Sequence, residues 1–200
     1  MATIEYFYTL LSPFTYLAND RLEQIAARHG CDIDYRPVDF FQVLPETGGL
    51  PVPKRHPFRQ QYRLQELARL SERAGLDFNI HPVHWPVDGT AACVSVIAAG
   101  ALGADMGALS RAFLRAVWAE ERDISDQDTI DAILTEQGVD PAAVKAGLPT
   151  ATEAYQANTA LSADRGVFGA PFYIVDGERF WGQDRLDHLD WHLAGRGPVK

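Results

Sequence analysis

Between Ile4 and Leu11 the chain is rich in β-branched and aromatic residues, a pattern that predicts a buried strand. The period then changes. Phe14, Leu17, Ala18, Leu22, Ile25 and Ala26 recur at helical spacing to about His29, where Gly30 supplies a stop. Ile33, Tyr35 and Val38 alternate as a second strand would, and Pro37, which cannot donate to a ladder, predicts an edge position or a strand end. The opening is β-α-β, right-handed if the strands are parallel.

From about Phe40 to Leu148 the β pattern disappears. Leu64, Leu67, Leu70 and Ala74 line one helical stripe ended by Gly75, and Ala91 to Ala101 is apolar nearly all round, which implies burial. Leu109, Phe113, Ala116 and Val117 make another stripe. Ile130, Ile133 and Leu134 make a third, with Ser125 as its expected N-cap, and Asp140 before Pro141 predicts a short further helix. Thr150 and Glu153 then form a capping-box pattern for a separate helix running to about Asp164. Phe172 to Val175 reads as a strand, Asp176 and Gly177 as a hairpin turn, and Arg179 to Trp181 as the returning strand. Asp184 is the expected cap of a last helix carrying Leu186, Leu189 and Leu193.

This order predicts an α/β architecture with a thioredoxin-like core formed by residues 1–40 and 149–200, interrupted by an all-helical domain over residues 41–148. Such a core brings the helix start at Ser12 against the turn before the third strand. Ser12 has two readings. It is an N-cap contributing about 1 kcal/mol, or a small hydroxyl at a helix N-terminus, where unpaired N–H groups and the dipole favour a thiolate or carboxylate.

Composition narrows the function. With 200 residues and 46% hydrophobic content the chain is long enough for one sizeable core. A net charge of −9 argues against nucleic acid or an anionic membrane as partner, although Lys54, Arg55, His56 and Arg59 form a local basic patch. Cys31 and Cys93 make no C-x-x-C and read as small buried hydrophobes with free thiols. The chain opens without a basic or apolar leader pattern and contains no run of 18 apolar residues, so a reducing, cytoplasmic setting is the default expectation. His81 with His84, and His188 with His192 on a solvent-facing helix side, lack a third ligand, so no metal is expected; no nucleotide-binding motif is present.

Three segments carry a family resemblance: Leu11-Ser12-Pro13-Phe14-Thr15-Tyr16-Leu17-Ala18, Val167-Phe168-Gly169-Ala170-Pro171, and Trp181-Gly182-Gln183-Asp184-Arg185-Leu186. Together, in this order and at these separations, they resemble the 2-hydroxychromene-2-carboxylate isomerases. These are relatives of kappa-class glutathione transferases within the DsbA-like thioredoxin superfamily. The resemblance runs from about Ile4 to Leu193. It implies glutathione as cofactor, Ser12 beside its sulfur, and Pro171 as a cis-proline that turns the backbone of Ala170 toward the ligand's cysteinyl amide. It further implies that Trp181, Gly182, Gln183 and Asp184 hold the γ-glutamyl end, with Asp184 serving as ligand, as helix cap, or as both. Lys54 and Trp85 fall near positions that contact the aromatic substrate, the first for a carboxylate and the second for a flat ring. Lys54 stands where the isomerases usually have asparagine, and Thr9 where many have an acidic residue. Relatives of this kind are usually homodimers.

The function so implied is isomerisation of 2-hydroxychromene-2-carboxylate or a related aromatic hydroxy acid by reversible thiolate addition, bond rotation and elimination. The alternatives are a kappa-like glutathione transferase and a non-catalytic glutathione or peptide binder. A disulfide oxidoreductase fits least, because serine forms no mixed disulfide.

Overall fold

The computed structural model describes residues 2–195. The first strand, β1 (Thr3–Tyr8), ends earlier than the apolar run suggests, because Leu10 and Leu11 belong to the turn that follows. Ser12 then caps α1 (Pro13–Ala18). The expected single helix to His29 is two helices. Asn19 adopts a positive φ of 48° and breaks the run, so α2 (Arg21–His29) starts afresh and ends at the left-handed Gly30. β2 (Asp32–Pro37) lies parallel to β1 at the sheet edge, with Pro37 as its last residue.

Helices follow without a further strand. They are α3 (Phe40–Glu46), α4 (Pro57–Ala74), α5 (Thr90–Ala101), α6 (Met106–Trp118) and α7 (Gln127–Glu136). Asp126, not Ser125, caps α7, its carboxylate accepting from the Thr129 N–H. Ser125 instead donates to Asp123 in the preceding turn. The two helices expected at Pro141 and Thr150 are one continuous α8 (Pro141–Asp164), which carries Pro149 inside it and crosses the expected boundary between residues 148 and 149. Packing outweighs the missing N–H of Pro149: Val144 and Ala151 on either side of it are buried.

The chain returns through β3 (Phe172–Val175), antiparallel to β1, and β4 (Glu178–Trp181), giving the sheet order β2-β1-β3-β4. Asp176 and Gly177 both take positive φ, as their tight hairpin turn requires. The last helix is α9 (Leu186–Leu193). Alternation along β1 separates two cores. Ile4, Tyr6 and Tyr8 join the large helical core, whereas Phe7 packs with Val38, Val167, Phe172 and Ile174 on the opposite face, beside Leu161 of α8. The free Cys93 lies in the large core and Cys31 is half-buried at its edge. No helix among the described residues is long and apolar enough to cross a membrane.

Candidate functional site

The site begins where β1 hands over to α1. The Ser12 N–H donates to the Thr9 carbonyl at 3.2 Å, closing a tight turn, and Pro13 supplies the first helical residue. Ser12 Oγ accepts from the Thr15 N–H at 3.2 Å and donates to the Ala170 carbonyl at 3.3 Å. Ser12 therefore caps α1 and also bonds to the other chain segment.

The peptide between Ala170 and Pro171 is cis. The β1–β3 ladder stops at Phe7 and Phe172, so Ala170 lies just beyond it, and its N–H takes no partner among the described residues. Pro171 is fixed from the other side, its carbonyl accepting from the Gly182 N–H at 2.9 Å. At Gly169 an added Cβ would sit 2.3 Å from Trp181 Nε1, so glycine is what allows the indole to lie on the backbone here. Trp181, half exposed, meets Phe168 edge-on with ring centroids 5.0 Å apart.

Ser12, Ala170 and Trp181 line one cleft of about 490 Å³ with Leu11, Phe14, Phe40, Leu44 and Trp85 among its apolar walls. Trp85 is placed by two contacts: its Nε1 donates to the Leu11 carbonyl at 3.0 Å, and its ring leans on Trp118 at 5.5 Å. Trp118 stacks in turn on Phe78, which stacks on Tyr16 of α1. A column of aromatic rings thus backs the cleft wall. The Trp85–Pro86 peptide is also cis, a feature with no counterpart in the sequence reading.

Other expected site residues lie off the cleft wall. Gly182 adopts φ 105°, which favours glycine, and opens a 3₁₀ turn, Gln183–Arg185, that packs beside α1. Gln183 is buried and its carbonyl accepts from Arg21 at 3.0 Å. Asp184 does not cap the last helix: Arg185 occupies the cap position of α9 without a side-chain cap bond, and Asp184 pairs with Arg185 at 2.7 Å in solvent. Lys54 is exposed at the end of the 3₁₀ turn Val52–Lys54 and is not on the wall; its neighbour Arg55 is.

The wall also holds Arg63 of α4, whose guanidinium lies 5.3 Å from the centroid of the Trp85 ring. Burial, with the Arg55 charge adding to it, pulls the Arg63 guanidinium down to about 10, and burial with Arg59 lowers Arg55 as well. Sequence reasoning found the basic patch but not Arg63. The spacing of Arg59 and Arg63 on α4 gives them one helix side, but Arg55 is extended before that helix, so no sequence period joins it to Arg63. The carboxylates on the wall are committed elsewhere: Asp39 caps α3 through the Phe41 N–H, and Asp88 is held below the usual carboxylate range by hydrogen bonds from Thr90.

Among the described residues no three His, Cys, Asp or Glu side chains are grouped to hold a metal. His84 faces Asp123 at 3.6 Å, and His192 is not solvent-facing as expected but tucked against Phe180 and Glu178.

The chain is similar to known proteins over nearly its whole length. A 2-hydroxychromene-2-carboxylate isomerase of Sphingobium xenophagum is 29% identical over 194 residues, 96% of this chain and 97% of the relative. The kappa 1 glutathione S-transferase of Rattus norvegicus is 25% identical over 226 residues, 98% of this chain and 93% of the relative. A solved 2-hydroxychromene-2-carboxylate isomerase superposes with a TM-score of 0.79 at 25% identity, covering 96% of this chain and 95% of the other. The DSBA-like thioredoxin domain model matches residues 3–194, so the helical segment lies inside the match, and the chain belongs to the family of DSBA-like thioredoxin domains.

Proposed function

We propose that this protein is a glutathione-dependent isomerase of 2-hydroxychromene-2-carboxylate or a related aromatic hydroxy acid. The observation that carries the reading is the Ser12 hydroxyl, 3.3 Å from the Ala170 carbonyl, at the edge of an apolar cleft walled by Trp85. Isomerases among the relatives and a matching isomerase structure support the choice of reaction.

The residues fit the tripeptide. The N–H of Ala170, which takes no partner among the described residues, suits pairing with a peptide amide, and Trp181 lines the same cleft. Gly182, Gln183 and Asp184 would receive the γ-glutamyl end, Asp184 through its exposed carboxylate. When bound, glutathione supplies a thiol nucleophile for reversible addition to a conjugated double bond and is returned unchanged after rotation and elimination. Ser12 is the residue that adapts: by turning its proton away from the Ala170 carbonyl it donates to a neighbouring sulfur and favours the thiolate. The apolar wall excludes water, and Trp85 presents a flat face to an aromatic ring.

The second reading is a kappa-type transferase that consumes glutathione, favoured by the kappa relatives that match nearly the whole chain. Stoichiometry separates the two. Complete conversion of the chromene with glutathione far below substrate concentration supports isomerisation. One glutathione lost per product replaces it with transfer, and absence of turnover despite glutathione binding leaves a binding protein.

A further inference from the structure

The cleft wall holds two guanidiniums, Arg55 and Arg63, and two carboxylates, Asp39 and Asp88, that are already engaged by the Phe41 N–H and by Thr90. Arg55 and Arg63 both reach its wall, Arg59 stands near enough to depress Arg55, and none of the three meets a carboxylate among the described residues. This occurs in a chain with a net charge of −9, where carboxylates outnumber cations and are paired with arginines elsewhere, as at Glu23 with Arg111 and Glu136 with Arg122.

Local partners satisfy little of the cationic surface. Arg55 Nε donates to the Leu50 carbonyl at 2.7 Å, and Arg63 spends one face on the Trp85 ring. The remaining N–H groups border an apolar space. Two half-buried guanidiniums on the wall of one cleft repel each other, an arrangement that persists most readily where a ligand neutralises both.

We infer that Arg55 and Arg63 form a dianion-binding end of the cleft, and that the substrate is a planar conjugated molecule carrying two carboxylates rather than one. This rests on the reading of the cleft as a substrate chamber and narrows its substrate class to the related acids, away from 2-hydroxychromene-2-carboxylate itself, which carries one carboxylate. The ring lies against Trp85 and the acidic groups meet the two guanidiniums, each carboxylate accepting charge-assisted hydrogen bonds from an arginine. Lys54, exposed and off the wall, takes no part in holding the ligand.

The test uses the full chain without glutathione, so its outcome is independent of thiol chemistry and of turnover. Calorimetry compares naphthalene-2,3-dicarboxylate with 2-naphthoate. The dicarboxylate is expected to bind about tenfold tighter or better, to lose that preference in Arg63→Gln and in Arg55→Gln, and to keep it in Lys54→Gln. Equal affinity for the two acids, no binding of either, or a preference that survives in both arginine variants overturns the proposal. Circular dichroism and urea unfolding of each variant establish that a lost preference reports on the cleft and not on the fold.

Discussion

Ser12 Oγ donates to the carbonyl of Ala170 at 3.3 Å across 158 positions of sequence. The same oxygen accepts from the Thr15 N–H at 3.2 Å. One small side chain therefore caps the start of a helix and joins the two halves of the thioredoxin core.

Ser12→Ala removes both hydrogen bonds. Loss of the cap lowers stability by about 1 kcal/mol, visible in urea unfolding, whereas turnover falls by about 100-fold, the scale of a lost donor to a developing negative charge. Unchanged turnover removes Ser12 from the chemistry.

Asp184→Asn separates a ligand from a cap. Asp184 makes no cap bond and its pairing with Arg185 is exposed, so stability changes by less than about 0.5 kcal/mol. Glutathione affinity, measured by calorimetry, weakens by about tenfold if the carboxylate receives the tripeptide's amino group. A stability loss with intact affinity reverses the assignment.

Gly169→Ala places a methyl group 2.3 Å from Trp181 Nε1. The indole is half exposed and swings outward, so the fold survives at a cost of about 1 kcal/mol. Tryptophan emission shifts to the red and glutathione binding weakens. An unaltered spectrum shows that the ring does not rest on this backbone.

Trp118→Ala empties the middle of the aromatic column. Trp118 is fully buried between Phe78 and Trp85, so truncation costs about 3–5 kcal/mol, lessened by removal of an indole N–H that has no partner among the described residues. Trp85 loses its backing, so KM for the aromatic substrate rises while glutathione affinity holds. Parallel loss of both affinities marks a general collapse of the site.

Burial holds the Glu23 carboxyl above the ordinary glutamate range, with the Arg111 guanidinium pulling in the opposite direction. Between the unfolded and folded titration points the folded state binds more protons, so this group's contribution to stability falls as pH rises through the window just above that range. The stability of the native chain minus that of Glu23→Gln is therefore expected to decrease from about pH 4 to about pH 7. A difference that grows over the same interval contradicts the assignment.

Local punctuation made much of this fold legible. Gly30 and Gly75 end helices in left-handed geometry, Pro37 closes an edge strand, and Asp176-Gly177 forms the hairpin turn. What stayed hidden depended on tertiary contact. Asn19 interrupts a helix whose apolar stripe continues on both sides, so periodicity alone reads through it. Pro149 and the capping-box pattern at Thr150 both signal a helix boundary, yet burial of the flanking residues keeps α8 continuous. In the site, Ser12 and Ala170 were legible as a meeting pair because the topology dictates it. Arg63 was not, since only the packing of α4 against Trp85 carries it to the cleft.

Trp85 is fastened through its nitrogen to Leu11, the residue before Ser12, while its ring forms part of the chamber wall. A guest that tilts the ring pulls on the turn that aims the hydroxyl, and a movement of that turn re-angles the ring. On the proposed function, loading of the two halves is thereby yoked, and by reciprocity each occupant alters the welcome given to the other by the same factor. The bond from Trp85 to Leu11 thus makes the coupling the same whichever occupant arrives first.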